Sequence, residues 1–247
     1  MEDGRVHASE QGTPQGGNLS PLLSNVYLHY ALDLWFERRF RLQCRGEAYL
    51  FRFADDFLAC FQYKEDAERF LKELKERLEK FHLEVEPTKT RLLPFGRFAR
   101  ENAEREGKKP AEFDFLGFTH YCGQTRSGSF KVKRRTSKKK FRAKLKETKV
   151  WLQRARNRLK AGYVLIQAKD KLVGHLNYYA ITDNYWMCHS FRTELVRLLF
   201  KWLNRRSQRR SYTWERFQGA LAWVEWPSVC IVHHLDPFRR TVDLNGC

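Results

Sequence analysis

Two adjacent carboxylates, Asp55 and Asp56, lie between the apolar runs Tyr49-Leu50-Phe51-Arg52-Phe53 and Phe57-Leu58-Ala59-Cys60-Phe61. Both runs read as strands, with Tyr49, Phe51 and Phe53 on one face, so the acidic pair falls at the tip of a β-hairpin. Carboxylates held that close repel each other unless a cation lies between them. Hard oxygen ligands on a rigid turn suit Mg²⁺, and a pair of such ions activates a hydroxyl nucleophile and stabilises a leaving pyrophosphate. The dipeptide alone decides nothing, because adjacent aspartates are also common in solvated turns. The second segment that carries chemistry is Lys131-Val132-Lys133-Arg134-Arg135-Thr136-Ser137-Lys138-Lys139-Lys140-Phe141-Arg142, in which eight of twelve residues are basic. A surface of that kind neutralises phosphates and binds nucleic acid in a salt-dependent, sequence-tolerant way. Arg205-Arg206 and Arg209-Arg210 form a second basic patch, close to Tyr212 and Trp214, whose rings suit stacking on unpaired bases.

Around the carboxylates the chain predicts an α+β arrangement. Residues 2–18 are polar and Gly-rich, a loop. Ser20-Pro21 reads as the cap and first position of a helix, and Leu22, Leu23, Val26, Tyr27, Tyr30, Leu34 and Trp35 carry it to about Phe40. After the hairpin, Lys64–Phe81 is patterned as a helix, with Ala67, Phe70, Leu71, Leu74, Leu78 and Phe81 on its apolar face. Residues 83–93 read as strand, turn and strand about Pro87-Thr88, and residues 96–112 as a surface loop. Phe113–Phe118 and Phe130–Val132 read as a strand pair joined through Gly123–Gly128. From Ser137 the texture turns helical. Phe141, Leu145, Thr148, Leu152, Ala155 and Leu159 step by four and three, further helices are expected near 168–180 and 190–206, and Thr213 caps a short last one. The tail from Pro227 reads as irregular.

Composition separates the two halves. The chain has 247 residues, 42% apolar and 15% aromatic, enough to bury a core and too apolar to be disordered over most of its length. Its 47 Lys+Arg and 29 Asp+Glu give a net charge of +18. Residues 1–120 hold 19 basic and 21 acidic side chains, whereas residues 121–247 hold 28 and 8. That asymmetry points to one near-neutral unit joined to a polyanion-binding one. No apolar run is long enough to span a membrane and no secretory signal follows Met1. Cys44, Cys60, Cys122, Cys188, Cys230 and Cys247 form no C-x-x-C pair and read as reduced thiols of a cytosolic protein. His233-His234 have no third ligand in range, so no metal site is assigned to them.

Phe53-Ala54-Asp55-Asp56 resembles the [YF]-x-D-D motif of reverse transcriptase palms. More specifically, the sequence resembles a group II intron-encoded reverse transcriptase/maturase. Gln11-Gly12-Thr13-Pro14-Gln15-Gly16 with Leu19-Ser20-Pro21-Leu22-Leu23-Ser24-Asn25 is similar to the block before the catalytic hairpin. Pro87-Thr88-Lys89-Thr90 resembles the lysine motif after the palm helix, and Phe113-Asp114-Phe115-Leu116-Gly117-Phe118 the block that closes the palm and supports the primer end. Gly174-His175-Leu176-Asn177-Tyr178-Tyr179 resembles the maturase (thumb) segment. The similarity runs in order from Gln11 to about Arg210.

The resemblance implies a partial reverse-transcriptase palm over 1–135, an antiparallel sheet with packed helices, followed by a basic all-α thumb/maturase (X) domain over 136–247. It implies RNA-directed DNA polymerase activity: nucleotidyl transfer from dNTPs to a DNA primer on an RNA template, with binding and splicing of intron RNA for a mobile element. Asp55 and Asp56 would hold two Mg²⁺ ions, and Lys89 would face the triphosphate. Pro14, Gln15 and Gly16, with Phe53, Ala54, Leu116 and Gly117, would contact nucleotide or template–primer. Lys131, Lys133, Arg134, Arg135, Lys138, Lys139, Lys140, Arg142, Arg205 and Arg206 would bind RNA. The expected setting is a bacterial cytoplasmic ribonucleoprotein. Phe53 stands where tyrosine is more usual. The family's fingers and a third metal-binding aspartate precede the matching segment and find no counterpart before Gln11. Asp33, inside the helix after Ser20, does not substitute. A gene fragment, a degenerate copy, or half of a split protein whose N-terminal fragment supplies the fingers would each account for this. A catalytically inactive, RNA-binding maturase remnant is the alternative function, and no C-terminal endonuclease domain is expected.

Overall fold

The computed structural model describes residues 19–206 and 212–235. The Gln11–Gly16 block with Pro14, Gln15 and Gly16, the basic pair Arg209-Arg210, and Cys247 all lie outside these residues. The chain divides into two compact units, residues 1–94 and 95–247.

In the first unit, α1 (Ser20–Leu28) starts one residue earlier than its cap signal suggests: Leu19 is the N-cap, and Ser20 and Pro21 are already helical. The helical run does not continue as a single α-helix. It passes through two π-helical turns, His29–Asp33 and Phe36–Phe40, and ends in the 3₁₀ turn Arg41–Gln43. A π-turn widens the helix and leaves a carbonyl without its usual partner. Here Arg77 supplies donors from the neighbouring helix, Nε to Ala31 O at 3.0 Å and Nη2 to Tyr30 O at 3.2 Å. The hairpin is β1 (Ala48–Phe53) against β2 (Asp56–Phe61), and α2 (Lys64–Glu79) covers it. The core is aromatic: Phe36 and Phe40 stack, and the other contacts among Phe36, Phe40, Phe61 and Phe70 are edge-to-face or tilted, with centroids 5.1–6.3 Å apart, beside Leu32, Leu74 and Leu78.

The expected strand–turn–strand over 83–93 does not form; those residues pair with no strand. At the end of α2, His82 turns into the left-handed region (φ 53°) and Leu83 N–H bonds back to Leu78 O. That closing turn drops Leu83 and Val85 onto the core as single side chains instead of a paired strand.

In the second unit, 96–112 is not wholly loop, since α3 (Ala99–Arg105) lies within it. The segment 113–118 is likewise not one strand. It turns at Leu116-Gly117 between β3 (Glu112–Phe115) and β4 (Phe118–Gln124), and β5 (Phe130–Thr136) completes an antiparallel sheet in the order β3-β4-β5. Ser137 leads directly into α4 (Lys138–Arg158), followed by α5 (Ala161–Tyr179), α6 (Tyr185–Leu203) and α7 (Trp214–Trp223). The last two long helices begin earlier than their apolar patterns alone suggest. Thr213 caps α7 as expected, its Oγ1 accepting from Arg216 N–H at 3.3 Å. Leu152, Leu172, Leu176, Phe191, Leu195 and Leu199 make the core. Asn184, 1% exposed, ties the sheet to the helices: its Oδ1 accepts from Thr136 N–H and its Nδ2 donates to Thr136 Oγ1 and Tyr179 O, each at 2.8 Å. The compact grouping therefore sets the three-stranded sheet with the helices, although the sequence texture changes only at 136.

His175 lies in this core, 6% exposed and stacked on Phe191 at 3.7 Å, with its Nε2 lacking a partner among the described residues. Burial, helped by the positive charge of Lys144, pulls its pKa from 6.5 down to about 4. Below pH 6.5 the unfolded chain takes up a proton that the folded unit refuses, so stability falls as pH drops from about 6.5 to 4. The full loss is about 3 kcal/mol at about 1.4 kcal/mol per pH unit. Urea titrations over this range will show that decline, and His175→Phe will flatten it.

Candidate active site and nucleic-acid interface

The acidic hairpin turns through Ala54 and Asp55, and Phe53 pairs with Asp56. Ala54 takes φ 54°, a conformation in which a two-residue hairpin normally carries glycine. The turn is held from inside. Alternation along β1 points Ala48, Leu50 and Arg52 inward and leaves Tyr49, Phe51 and Phe53 at 44%, 54% and 65% exposure. Arg52 grips Asp33 with two parallel bonds, Nε to Oδ1 at 2.8 Å and Nη2 to Oδ2 at 2.7 Å. Its Nη1 donates to Asn25 Oδ1 at 2.8 Å and to the turn carbonyl of Ala54 at 2.9 Å. One guanidinium thus fastens the carboxylate turn to the helical run. The hydrogen bonds from Arg52 hold the Asp33 carboxyl below its ordinary range despite partial burial.

Asp55 and Asp56 are both exposed, and among the described residues neither pairs with a lysine or arginine. Two uncompensated carboxylates on one tight turn fit the donor chemistry of a hard divalent cation, and they supply part of its shell. Among the described residues no group of three His, Cys, Asp or Glu side chains is placed to hold a metal ion. Lys89 is exposed on a single turn built around Glu86. The Glu86 carbonyl accepts from the Lys89 and Thr90 N–H groups at 3.2 and 3.1 Å, and its carboxylate accepts from Thr88 Oγ1 at 2.8 Å. Those Thr88 bonds lower the Glu86 pKa.

In the second unit, two segments that the sequence presents far apart come together. Leu116 and Gly117 form the β3–β4 turn with φ 49° and 81°, the geometry of a type I′ turn. Tyr178 Oη donates to Leu116 O at 2.8 Å, and Phe118 packs against both Tyr178 and Tyr179. A Cβ on Gly117 would approach Tyr179 Oη to 2.9 Å, so glycine is needed for fit as well as for φ. Asp114 completes the clamp by accepting from Thr119 Oγ1 and from Ser137 Oγ, the latter at 2.7 Å.

The basic residues divide by surroundings. Lys131 pairs with Asp183 at 3.3 Å and Arg135 with Glu112 at 2.6 Å, so both are engaged within the unit. Lys133 and Arg134 are half-buried on opposite faces of β5, whereas Lys138, Lys139, Lys140 and Arg142 are exposed on the first turns of α4. Arg205 stacks over Trp202 at 5.5 Å, and Arg156 covers the same ring at 4.8 Å while its Nη1 donates to Arg205 O. Arg206 is half-buried. Asn25, Asp33, Arg52 and Tyr178 are the positioning residues that sequence reading gave no role. Asn25 and Tyr178 lie inside matching blocks without a function assigned to them, and a charged residue on the inward face of β1 was the one signal for Arg52 and Asp33.

Residues 1–120 match the family model described as reverse transcriptase (RNA-dependent DNA polymerase). The match covers just under half of the chain, runs across the carboxylate hairpin and ends inside β4, so over that segment the chain is similar to reverse transcriptases. None of the curated proteins matches the chain. No helix among the described residues is long and apolar enough to cross a membrane.

Replacing Arg52 tests the lock. Arg52→Met strips the partly buried Asp33 carboxylate of both guanidinium donors and leaves it only His29 Nδ1 at 3.5 Å, a loss of about 2 kcal/mol in the stability of the first unit at neutral pH. Because the folded-state pKa of Asp33 is depressed, the pair's contribution is present above pH 3.8 and disappears as pH falls through the lowered value. The stability gap between wild type and variant will therefore close below about that pH in denaturation curves.

Proposed function

We propose that this chain is the catalytic palm segment and thumb of a group II intron-encoded reverse transcriptase with a maturase role, with the functional division near residue 135. The observation that carries the reading is the Asp55-Asp56 hairpin tip, two unpaired carboxylates fixed by Arg52 inside a segment that matches reverse transcriptases. The ordered blocks at Leu19–Asn25, Pro87–Thr90, Phe113–Phe118 and Gly174–Tyr179 support the intron-encoded type. Asp55 and Asp56 would hold the Mg²⁺ ions, which supply charge neutralisation of the triphosphate and lower the pKa of the primer 3′-hydroxyl. The hairpin orients the two carboxylates, Lys89 meets the triphosphate as a cation, and the Leu116-Gly117 turn supports the primer end. Exposed Phe53 and half-buried Ala54 face the nucleotide or template–primer, as Pro14, Gln15 and Gly16 do in this reading. Lys138, Lys139, Lys140 and Arg142 bind the phosphates of intron RNA.

A second reading is an RNA-binding maturase remnant that does not polymerise. It is favoured by the two-carboxylate site, because among the described residues no third ligand joins it. Primer extension on an RNA template with dNTPs and Mg²⁺ separates the two. The chain is assayed alone and with an added polypeptide that supplies an aspartate-bearing palm strand. Extension is expected only in the supplemented reaction and is lost on Asp55→Asn, which removes charge with little change in volume. No extension after supplementation leaves the remnant as the better reading.

RNA binding by the second unit is tested separately. Changing Lys138, Lys139 and Lys140 to glutamine will weaken binding and flatten the salt dependence by up to about 0.7–0.9 per lost phosphate contact. Asp55→Ala with Asp56→Ala will leave affinity unchanged or slightly tighter. An affinity indifferent to salt would sink the interface reading.

A further inference from the structure

The start of α6 carries three aromatic rings that touch one another at the surface. Tyr185 and Trp186 meet edge-to-face with centroids 5.5 Å apart, Tyr185 stacks on His189 at 6.1 Å, and Trp186 meets His189 edge-to-face at 6.3 Å. Trp186 is 75% exposed, more than any other tryptophan among the described residues, and His189 is exposed as well. The helix itself dictates that exposure. Leu195, fully buried, follows Trp186 by nine residues, which is half a revolution about the axis. The indole therefore points away from the core and takes no part in it.

The exposed lysines of α4 stand beside this cluster. Asn184 precedes α6 and holds Thr136 through two bonds of 2.8 Å, and α4 begins two residues after Thr136. The two helices run in the same direction, because Phe141 meets Phe191 near their starts and Arg156 covers Trp202 near their ends. Lys138, Lys139 and Lys140 are therefore level with the opening turns of α6, on a helix whose axis lies about 8–10 Å away. Successive helical positions step round by about 100°, so these three lysines occupy every side of α4 except the one Phe141 turns inward. None of the three pairs with a carboxylate among the described residues. The acid nearest the rings in sequence, Asp183, is already paired with Lys131 at 3.3 Å.

Open rings next to unpaired cations select the occupant. An apolar protein surface seated on the rings would bury the lysines beside them without partners, at a cost in desolvation. A nucleic-acid strand matches both features, since every base has a flat face that stacks on an aromatic ring and every phosphate takes a cation. A base within a duplex has both faces covered by its neighbours, so the base that fits is unpaired. We propose that Tyr185, Trp186 and His189 form a stacking platform for unpaired bases of a strand whose phosphates lie along Lys138, Lys139 and Lys140. The proposal rests on the reading of the second unit as a nucleic-acid binder. It adds a preference for single strands, which lysines alone do not confer.

Fluorescence anisotropy on the full chain tests it. The probes are a labelled RNA strand of about 12 nucleotides, within the site size of single-strand binders, the blunt duplex of the same sequence, and an abasic strand of equal length. Trp186→Ala removes the most open ring of the platform, and Trp186→Phe keeps an aromatic face in its place. Melting curves confirm that both variants fold. The alanine variant is expected to bind the RNA strand about tenfold more weakly, the loss of one stacked base, and the phenylalanine variant to recover most of that loss. The salt slope should not change, and binding of the duplex and abasic strands should equal wild type. Unchanged strand affinity in Trp186→Ala overturns the platform and leaves phosphate binding standing. An equal loss on all three probes overturns it too, because Trp186 then acts on phosphates or on the fold, and so does a phenylalanine variant no tighter than the alanine one. Failure of the wild-type chain to bind any probe at low salt removes the nucleic-acid reading itself, and this proposal with it.

Discussion

A single guanidinium sets the geometry of the first unit's site. Arg52 lies on the inward face of a strand, where a charge is tolerated only if its donors are matched. Asp33 matches two of them in parallel, and Asn25 and the Ala54 carbonyl take the donors on the third nitrogen. The Ala54 bond extends the lock to the turn. Ala54 holds a backbone conformation that alanine seldom adopts, and a strained turn persists only where its surroundings over-determine it. The carboxylates are therefore presented on a turn fixed from behind and left open in front. An active site that positions phosphates requires that combination of rigidity and access.

The second unit uses tyrosine where the first uses arginine. Tyr178 and Tyr179 hold the Leu116-Gly117 turn by one hydrogen bond, two ring contacts and a close approach that excludes a side chain at Gly117. Both turns need positive φ at a non-glycine residue, and both have a carbonyl pinned by a polar side chain, Arg52 of the adjoining strand in one and Tyr178 of α5 in the other. The charge distribution follows the same division. Residues 1–94 hold 14 basic and 16 acidic side chains, leaving all of the positive excess on residues 95–247.

Elements whose apolar period is strong were legible in the sequence. The hairpin, α2, the inward row of α4 and the Thr213 cap stand where alternation, the four-and-three step and cap chemistry put them. The failures have a shared cause. Residues 83–93 alternate like strands, yet strand identity depends on a partner edge that local pattern does not encode, and the closing turn at His82 sends the chain elsewhere. Phe113–Phe118 reads as one apolar strand because its turn is made by Leu116 and Gly117, and leucine gives no turn signal. For the candidate site, motif spacing pointed to Asp55, Asp56 and Lys89. Asp33 drew notice only as a rejected ligand, because its role exists solely through Arg52, nineteen residues away. Ionic partners such as Asp183 for Lys131 and Glu112 for Arg135 were equally invisible, and a basic run by itself does not say which of its charges face solvent.

The π-helical turns after Leu28 set a rotational phase. An α-helix advances each residue by about 100° around its axis, so one residue more or fewer per turn swings every side chain on one side of the defect relative to the other. Asp33 ends the first of these turns, and Asn25 lies upstream of it on α1. Both must reach the same arginine. Removal of one residue between His29 and Asp33 would restore regular helix and turn Asn25 away from Arg52 by roughly a quarter of a revolution, with no change to either side chain. In this segment the length of the chain is as much a determinant of the site as the identity of its residues.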